Sequence, residues 1–199
     1  MAHNNKRKDR MKINVLLNMD GVMCDFVRHA CSKFPYVGDW KEVYENWPHN
    51  DYSLAHTFNQ TAPGDFWKAL DHEFWATMPK TEHADWLIGL LEDMDLDVCF
   101  LSTPSDYTGS ASGKHEWIRT NYPDYNRAFL LGPAKRFCAH NRAILIDDNN
   151  QNWLDFKEAG GHAILFPQPW NILYSRIDQT REGITNSLNR IISEMKGKP

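Results

Sequence analysis

The 199-residue sequence has no long apolar run, no basic stripe and no paired cysteines. A membrane-spanning helix needs about 20 successive apolar residues, so we expect no membrane partner. Acidic side chains outnumber basic ones by 26 to 22, and the net charge of −4 argues against a polymeric nucleic-acid partner, which a basic surface would attract. The four cysteines lack CxxC spacing and indicate buried free thiols in the cytoplasm, rather than a disulfide framework or a zinc site.

Short apolar runs are present instead, and they predict strands that are buried on both faces of a sheet. They cover residues 13–17, 97–101, 128–131, 143–146 and 162–166. Helical patterns lie between several of these runs, at 81–92, where Thr81 is the expected cap, and at 113–122 and 152–159. A closing amphipathic pattern carries Ile184, Leu188, Ile191, Ile192 and Met195. This alternation predicts an α/β fold with a doubly wound, Rossmann-like parallel sheet.

One stretch does not follow the alternation. Residues 27–78 are rich in aromatic side chains and stand between the first predicted strand and the next, so they predict a small, mostly helical cap. The core would then comprise residues 13–26 and 79–199, and the basic residues 1–12 would form a disordered tail. The length fits one domain with such an insertion, and it leaves open whether the chain forms a homodimer.

Polar residues directly follow four of the predicted strands. Asn18-Met19-Asp20-Gly21 follows the first, Ser102-Thr103-Pro104 the second, Gly132 to Lys135 the third and Asp147-Asp148 the fourth. Each group alone is typical of a turn, a helix cap or a solvated strand end. In a doubly wound sheet, however, ligands bind beyond the carboxyl ends of the strands, so the four groups together predict one functional site.

The order of these groups resembles the four motifs of the haloacid dehalogenase-like phosphatases, and more narrowly those of the 5'(3')-deoxyribonucleotidases. The first family motif reads DMDGVLADF, and this sequence reads NMDGVMCDF at residues 18–26. The second motif, with two hydroxyl residues and a proline, matches residues 102–104. An EKYAW-type segment matches residues 113–117, the third-motif lysine matches Lys135, and the final LLIDD matches residues 144–148.

The resemblance implies Mg²⁺-dependent hydrolysis of (deoxy)nucleoside monophosphates through an aspartyl-phosphate. By this resemblance, Asp20 would be the acid and base, since leaving alkoxide and attacking water both need a proton carrier. The phosphate group would be bound by Ser102, Thr103, Lys114 and Lys135. Mg²⁺ would be bound by Asp147, with Asp148 beside it, by the Asp20 carbonyl and by position 18.

The sequence departs from the family at its nucleophile, because position 18 is Asn18 and not aspartate. A carboxamide has no anionic oxygen for in-line attack and cannot form the acyl-phosphate. Two explanations are open: an engineered exchange that traps substrate, or a natural pseudophosphatase that binds nucleotide in a regulatory or sensing role. Because the other catalytic positions match, we interpret the chain as a phosphatase inactivated at one residue. A third, less favoured interpretation is a structural or regulatory binding module that has this fold without the activity.

The predicted substrate depends on the cap. Phe26 matches a family position that lines the nucleoside pocket, and further candidate walls are Phe66, Trp67, Phe74 and Trp75. Aromatic residues of a small domain also commonly form its core, so the two roles stay open for these four. Base, sugar and the position of the phosphate are left open by the sequence.

Overall fold

The computed structural model describes residues 12–48 and 63–197. The strands are β1 (Asn14–Leu17), β2 (Asp97–Ser102), β3 (Phe129–Leu131), β4 (Ala143–Asp147) and β5 (His162–Leu165). The helices are α1 (Phe26–Lys33), α2 (Trp40–Glu45), α3 (Pro63–Lys68), α4 (His72–Ala76), α5 (Ala84–Asp93), α6 (Ser110–Asn121), α7 (Asn150–Glu158) and α8 (Thr180–Gly197). The predicted tail, except for Lys12, and residues 49–62 of the predicted cap lie outside the described residues.

The strands form one parallel sheet in the order β3-β2-β1-β4-β5. This confirms the predicted doubly wound α/β fold, and each strand lies within two residues of its predicted bounds. Because all strands are parallel, their carboxyl ends meet at one edge. β1 lies at the centre, between β2 and β4, so the residues that follow it enter the middle of that edge.

Both faces of the sheet are covered, which explains why its strands are continuous apolar runs. On one face Val15 and Leu17 join the large core, to which α5, α6 and α8 contribute apolar side chains. On the other face Leu16 and Leu145 pack with Phe156 of α7 in a smaller cluster. No helix within the described ranges is long and apolar enough to cross a membrane.

The start of α5 differs from the sequence-based expectation. Thr81 was expected to cap this helix, but the helix begins at Ala84 and its N-cap residue is His83. The Thr81 hydroxyl instead donates to the carbonyl of Val22 at 2.7 Å. Thr81 therefore stabilises the turn that follows β1. Local sequence does not reveal this contact, because the two residues are far apart in the chain.

Candidate functional site

A cavity of about 630 Å³ opens at the carboxyl edge of the sheet. Its polar side includes residues from the predicted motifs, namely Asn18, Asp20, Thr103, Lys135 and Asp148. Its apolar side includes Phe26, Trp67, Trp75 and Trp170. The structure thus brings the strand ends and part of the aromatic insertion to one cavity, which is the arrangement that a ligand with a polar and a flat apolar part would fit.

The turn after β1 positions the first motif. The carbonyl of Met19 accepts hydrogen bonds from the N–H groups of Val22, Met23 and Cys24 at 2.7–3.2 Å. Gly21 has a φ of 75°, and a Cβ atom there would lie 2.3 Å from Oδ2 of Asp148. A side chain at this position would therefore be strained and would also push Asp148 away, so the turn requires glycine.

The side chain of Asn18 is buried at the centre of the site and makes three hydrogen bonds. Its Nδ2 donates to the carbonyl of Asp20 and to Oδ1 of Asp148, each at 2.8 Å. Its Oδ1 accepts from Nζ of Lys135, also at 2.8 Å. The amide thus connects three of the predicted site residues.

Asp20 is held by a buried lysine. Nζ of Lys114 donates to Oδ2 of Asp20 and, at 3.0 Å, to the hydroxyl oxygen of Ser102. Lys114 and Ser102 are fully buried and lie behind Asp20 rather than on the cavity wall. Oδ1 of Asp20 has no hydrogen-bond partner among the described residues. One carboxylate oxygen is therefore anchored by Lys114, and the other is buried without a hydrogen-bond partner among the described residues.

Asp147 and Asp148 face different partners although they are adjacent in sequence. Asp147 pairs with Lys135, whose Nζ lies 2.6 Å from Oδ2, and it also accepts from Nδ2 of Asn152 at 3.2 Å. Asp148 instead accepts a hydrogen bond from Nδ2 of Asn18, the atom that also donates to the Asp20 carbonyl. The sequence assigned the leading metal role to Asp147; in the structure, Asp148 is the acid that lies beside the other predicted metal-binding groups.

Residues after β5 hold Asp148, and sequence reasoning missed them. Nε1 of Trp170 donates to Oδ2 of Asp148 at 2.8 Å, and Nδ2 of Asn171 donates to the Asp148 carbonyl at 2.9 Å. Burial and the neighbouring Asp147 carboxylate raise the pKa of Asp148 to about 7. The available signal was the polar Gln168 and Asn171 within a segment that is otherwise apolar after the last strand; both side chains are buried.

The predicted aromatic walls divide into two groups. Trp67 and Trp75 line the cavity with Phe26, whose ring centroid lies 6.1 Å from that of Trp67 and 5.6 Å from that of Trp75. Phe66 and Phe74 are buried, and their ring centroids lie 6.4 and 5.6 Å from that of Phe26, but neither residue lines the cavity. They therefore belong to the packing around Phe26 and not to the cavity surface.

The residues around Asn18 fit a hard cation in part. The Asp20 carbonyl and Oδ1 of Asp148 both lie 2.8 Å from the same amide nitrogen, and oxygen atoms of these kinds are the ligands that Mg²⁺ prefers. The third side is an N–H₂ group, which cannot ligate a cation. In the part of the chain that the structure describes, no three His, Cys, Asp or Glu side chains are grouped to hold a metal ion.

No family model matches the sequence, and no curated protein does so. Solved structures are similar to it. A HAD family hydrolase from Deinococcus radiodurans R1 with bound phosphate and sodium is 17% identical, with a TM-score of 0.55 over 88% of this chain and 96% of that one. A hydrolase from Streptococcus pneumoniae TIGR4 is 12% identical, with a TM-score of 0.54 over 84% and 98% of the two chains.

A third similar structure is CbbY from Rhodobacter sphaeroides in complex with phosphate. It is 14% identical, with a TM-score of 0.50 over 81% of this chain and 89% of that one. An aspartate-to-asparagine mutant of the same protein, in complex with xylulose-1,5-bisphosphate, matches at 13% identity with the same TM-score and coverage. The likeness extends over most of each chain, and this chain therefore has the α/β fold of HAD-type hydrolases.

Proposed function

We propose that this chain binds nucleoside monophosphates in the cavity at the sheet edge, and that Asn18 prevents it from hydrolysing them. The observation that carries the proposal is the division of one cavity into a polar floor and an aromatic wall. A nucleoside monophosphate has the matching division, since its phosphate is anionic and its base is flat and apolar on both faces.

The polar floor supports phosphate binding. Lys135 and Thr103 reach the cavity, and Lys135 supplies a buried positive charge for a phosphoryl oxygen. Lys114 acts through Asp20, which it pairs with directly. Bound phosphate in the similar Deinococcus radiodurans hydrolase and in CbbY is consistent with this assignment.

The same floor explains why hydrolysis needs one more group. Asp20 is assigned the role of protonating a leaving alkoxide through Oδ1, the carboxylate oxygen that is buried without a hydrogen-bond partner among the described residues. Asn18 occupies the position at the end of β1 from which the family nucleophile attacks, but its carboxamide cannot accept a phosphoryl group. Mg²⁺, when bound, would neutralise phosphoryl oxygens, and the groups best placed to hold it are the Asp20 carbonyl and Asp148.

The aromatic wall supports recognition of a base. Trp67 is half-buried and borders the cavity, which makes its indole the candidate for stacking on a base. Stacking of a base on an aromatic side chain is worth about 1–3 kcal/mol, which corresponds to roughly tenfold or more in affinity. The cytoplasmic location is part of this proposal and rests on the sequence alone, which leaves open whether the chain forms a homodimer.

A second candidate function is that of a pseudophosphatase with a regulatory or sensing role. It is favoured by the hydrogen bonding of Asn18. The amide nitrogen donates to two acceptors and the amide oxygen accepts from an ammonium group, so the buried side chain is matched to its neighbours as an asparagine. An active site that merely lost its nucleophile would not need such a match. Both candidates bind the same ligands and differ in what reversion restores.

The test is a phosphatase assay of Asn18→Asp over a panel of deoxy- and ribonucleoside monophosphates with Mg²⁺. We expect the unaltered chain to bind at least one of them without turnover, and Asn18→Asp to hydrolyse it several orders of magnitude faster. Asn14→Asp, the same exchange at the other end of β1, is the matched control and should stay inactive.

If Asn18→Asp binds a nucleoside monophosphate but does not hydrolyse it, the pseudophosphatase is the better assignment. If neither protein binds any nucleoside monophosphate, the proposed ligand class is wrong.

A further inference from the structure

The orientation of the Asn18 amide is fixed by the chemistry of its neighbours. An ammonium group can only donate hydrogen bonds, so Lys135 must face the amide oxygen. The Asp20 carbonyl can only accept, and Oδ1 of Asp148 accepts here as well, so both must face the amide nitrogen. Turning the amide over would place its oxygen against two acceptors and its N–H₂ against an ammonium group.

In this orientation the N–H₂ group lies where a cation would have to lie. Its two hydrogens point at the Asp20 carbonyl and at Asp148, which are the two oxygens best placed to ligate Mg²⁺. The amide thus gives these oxygens the positive partner that a metal would otherwise provide. An aspartate at position 18 would present an oxygen instead, and three oxygens around one point would repel each other until a cation arrived.

The net charge of the site disfavours the binding of phosphate without a metal ion. The site formally contains three carboxylates, Asp20, Asp147 and Asp148, against the ammonium groups of Lys114 and Lys135. With all five groups ionised, a phosphate dianion would enter a buried environment that is already negative by one formal charge. Such an anion is costly to bind without a compensating cation.

We propose that Mg²⁺ and phosphate bind this site only together, because the Asn18 amide must turn over to admit the metal. This inference rests on the proposed function and specifies how that site is loaded. A phosphoryl oxygen can accept the N–H of Lys135 in place of Asn18. The amide is then released, its oxygen can face the cation, and the N–H₂ group leaves the space between Asp20 and Asp148. Each ligand thereby removes the obstacle to the other.

Calorimetry with Mg²⁺ alone, with inorganic phosphate alone and with Mg²⁺ at saturating phosphate tests the coupling. For the unaltered chain without phosphate, we expect the Mg²⁺ affinity to be too weak to detect at millimolar concentration. With saturating phosphate, we expect an affinity at least tenfold above that detection limit. Phosphate should gain the same factor from Mg²⁺, because coupling is reciprocal. Asn18→Asp should bind Mg²⁺ alone, and Asn14→Asp should behave like the unaltered chain.

Asn18→Ala provides a second variant in case crowding of carboxylates unfolds Asn18→Asp. It removes the N–H₂ group without adding charge, so we expect it to bind Mg²⁺ alone more tightly than the unaltered chain does. The inference is overturned if the unaltered chain binds Mg²⁺ alone as tightly as these variants, or if phosphate leaves its Mg²⁺ affinity unchanged. A nucleoside monophosphate titrated with Mg²⁺ separates the two failures, since its binding would uphold the proposed function even where the coupling is absent.

Discussion

The two sides of the cavity are stabilised by different physics. On the floor, Asn18, Lys135 and Asp147 are buried and fixed by hydrogen bonds of defined donor and acceptor character. On the wall, Phe26, Trp67 and Trp75 are fixed by packing of rings against rings. A polar network fails as a unit when one partner is lost, whereas an aromatic cluster loses contact area in proportion to what is removed.

The largest expected effect is on the floor. Lys135 is 3% exposed and Asp147 is 0% exposed, so Lys135→Met leaves a buried carboxylate without its counter-charge. We expect a loss of about 3–5 kcal/mol in the free energy of unfolding, measured by urea denaturation. Lys114→Met is the matched variant and should cost less, because the side chain of its partner Asp20 is 24% exposed and can be solvated.

A double variant sharpens this prediction. If the cost comes from the unpaired charge, Lys135→Met with Asp147→Leu should recover much of the stability that Lys135→Met loses. If the double variant is less stable than the single one by a further similar amount, Lys135 contributes mainly by packing, and the floor then does not differ from the wall in kind.

On the aromatic wall, variants are expected to affect stability and nucleotide binding separately. Trp75 is 1% exposed, and its Nε1 donates to the Leu70 carbonyl at 3.0 Å, so Trp75→Ala should cost about 3–5 kcal/mol in unfolding free energy. Trp67 is half-buried, and Trp67→Ala should cost less stability but weaken nucleotide binding roughly tenfold. Affinity for inorganic phosphate, measured by the same titration, should hardly change. Equal loss for nucleotide and phosphate would contradict a base-stacking role.

The same difference explains what could be predicted from the sequence. The strands were predicted well because a strand buried on both faces is a continuous apolar run, as are the first four residues of the strand Ala143–Asp147. The polar groups at the strand ends were predicted because parallel strands share one edge. These are properties of composition and order, which the sequence contains directly.

The details of the site depend on the direction in which each side chain points, and local sequence does not reveal that direction. Asp147 and Asp148 are chemically identical, and only the backbone decides that one faces Lys135 and the other faces Asn18. Trp170 reaches Asp148 from a loop 22 residues further along the chain. Among the aromatic residues, composition cannot separate Phe66, which is core, from Trp67, which borders the cavity.

The smallest expected effect is a pH dependence that arises on the wall side. His29 packs on Phe74 with ring centroids 4.6 Å apart, and burial, with a smaller contribution from Lys33, lowers the pKa of this histidine below its usual 6.5. The unfolded chain therefore binds more protons at His29 than the folded chain does between that lowered pKa and pH 6.5. Stability should accordingly fall as the pH falls through this window.

His29→Gln should flatten the pH dependence of the urea midpoint in this window without changing it above pH 7. His83, whose pKa burial also lowers, contributes in the same direction, so the variant with both histidines replaced should be flatter still. If His29→Gln leaves the slope unchanged, the ring is not held neutral by its burial. The aromatic cluster would then admit water at His29, and the wall would be more open on that side than the packing of Phe74 indicates.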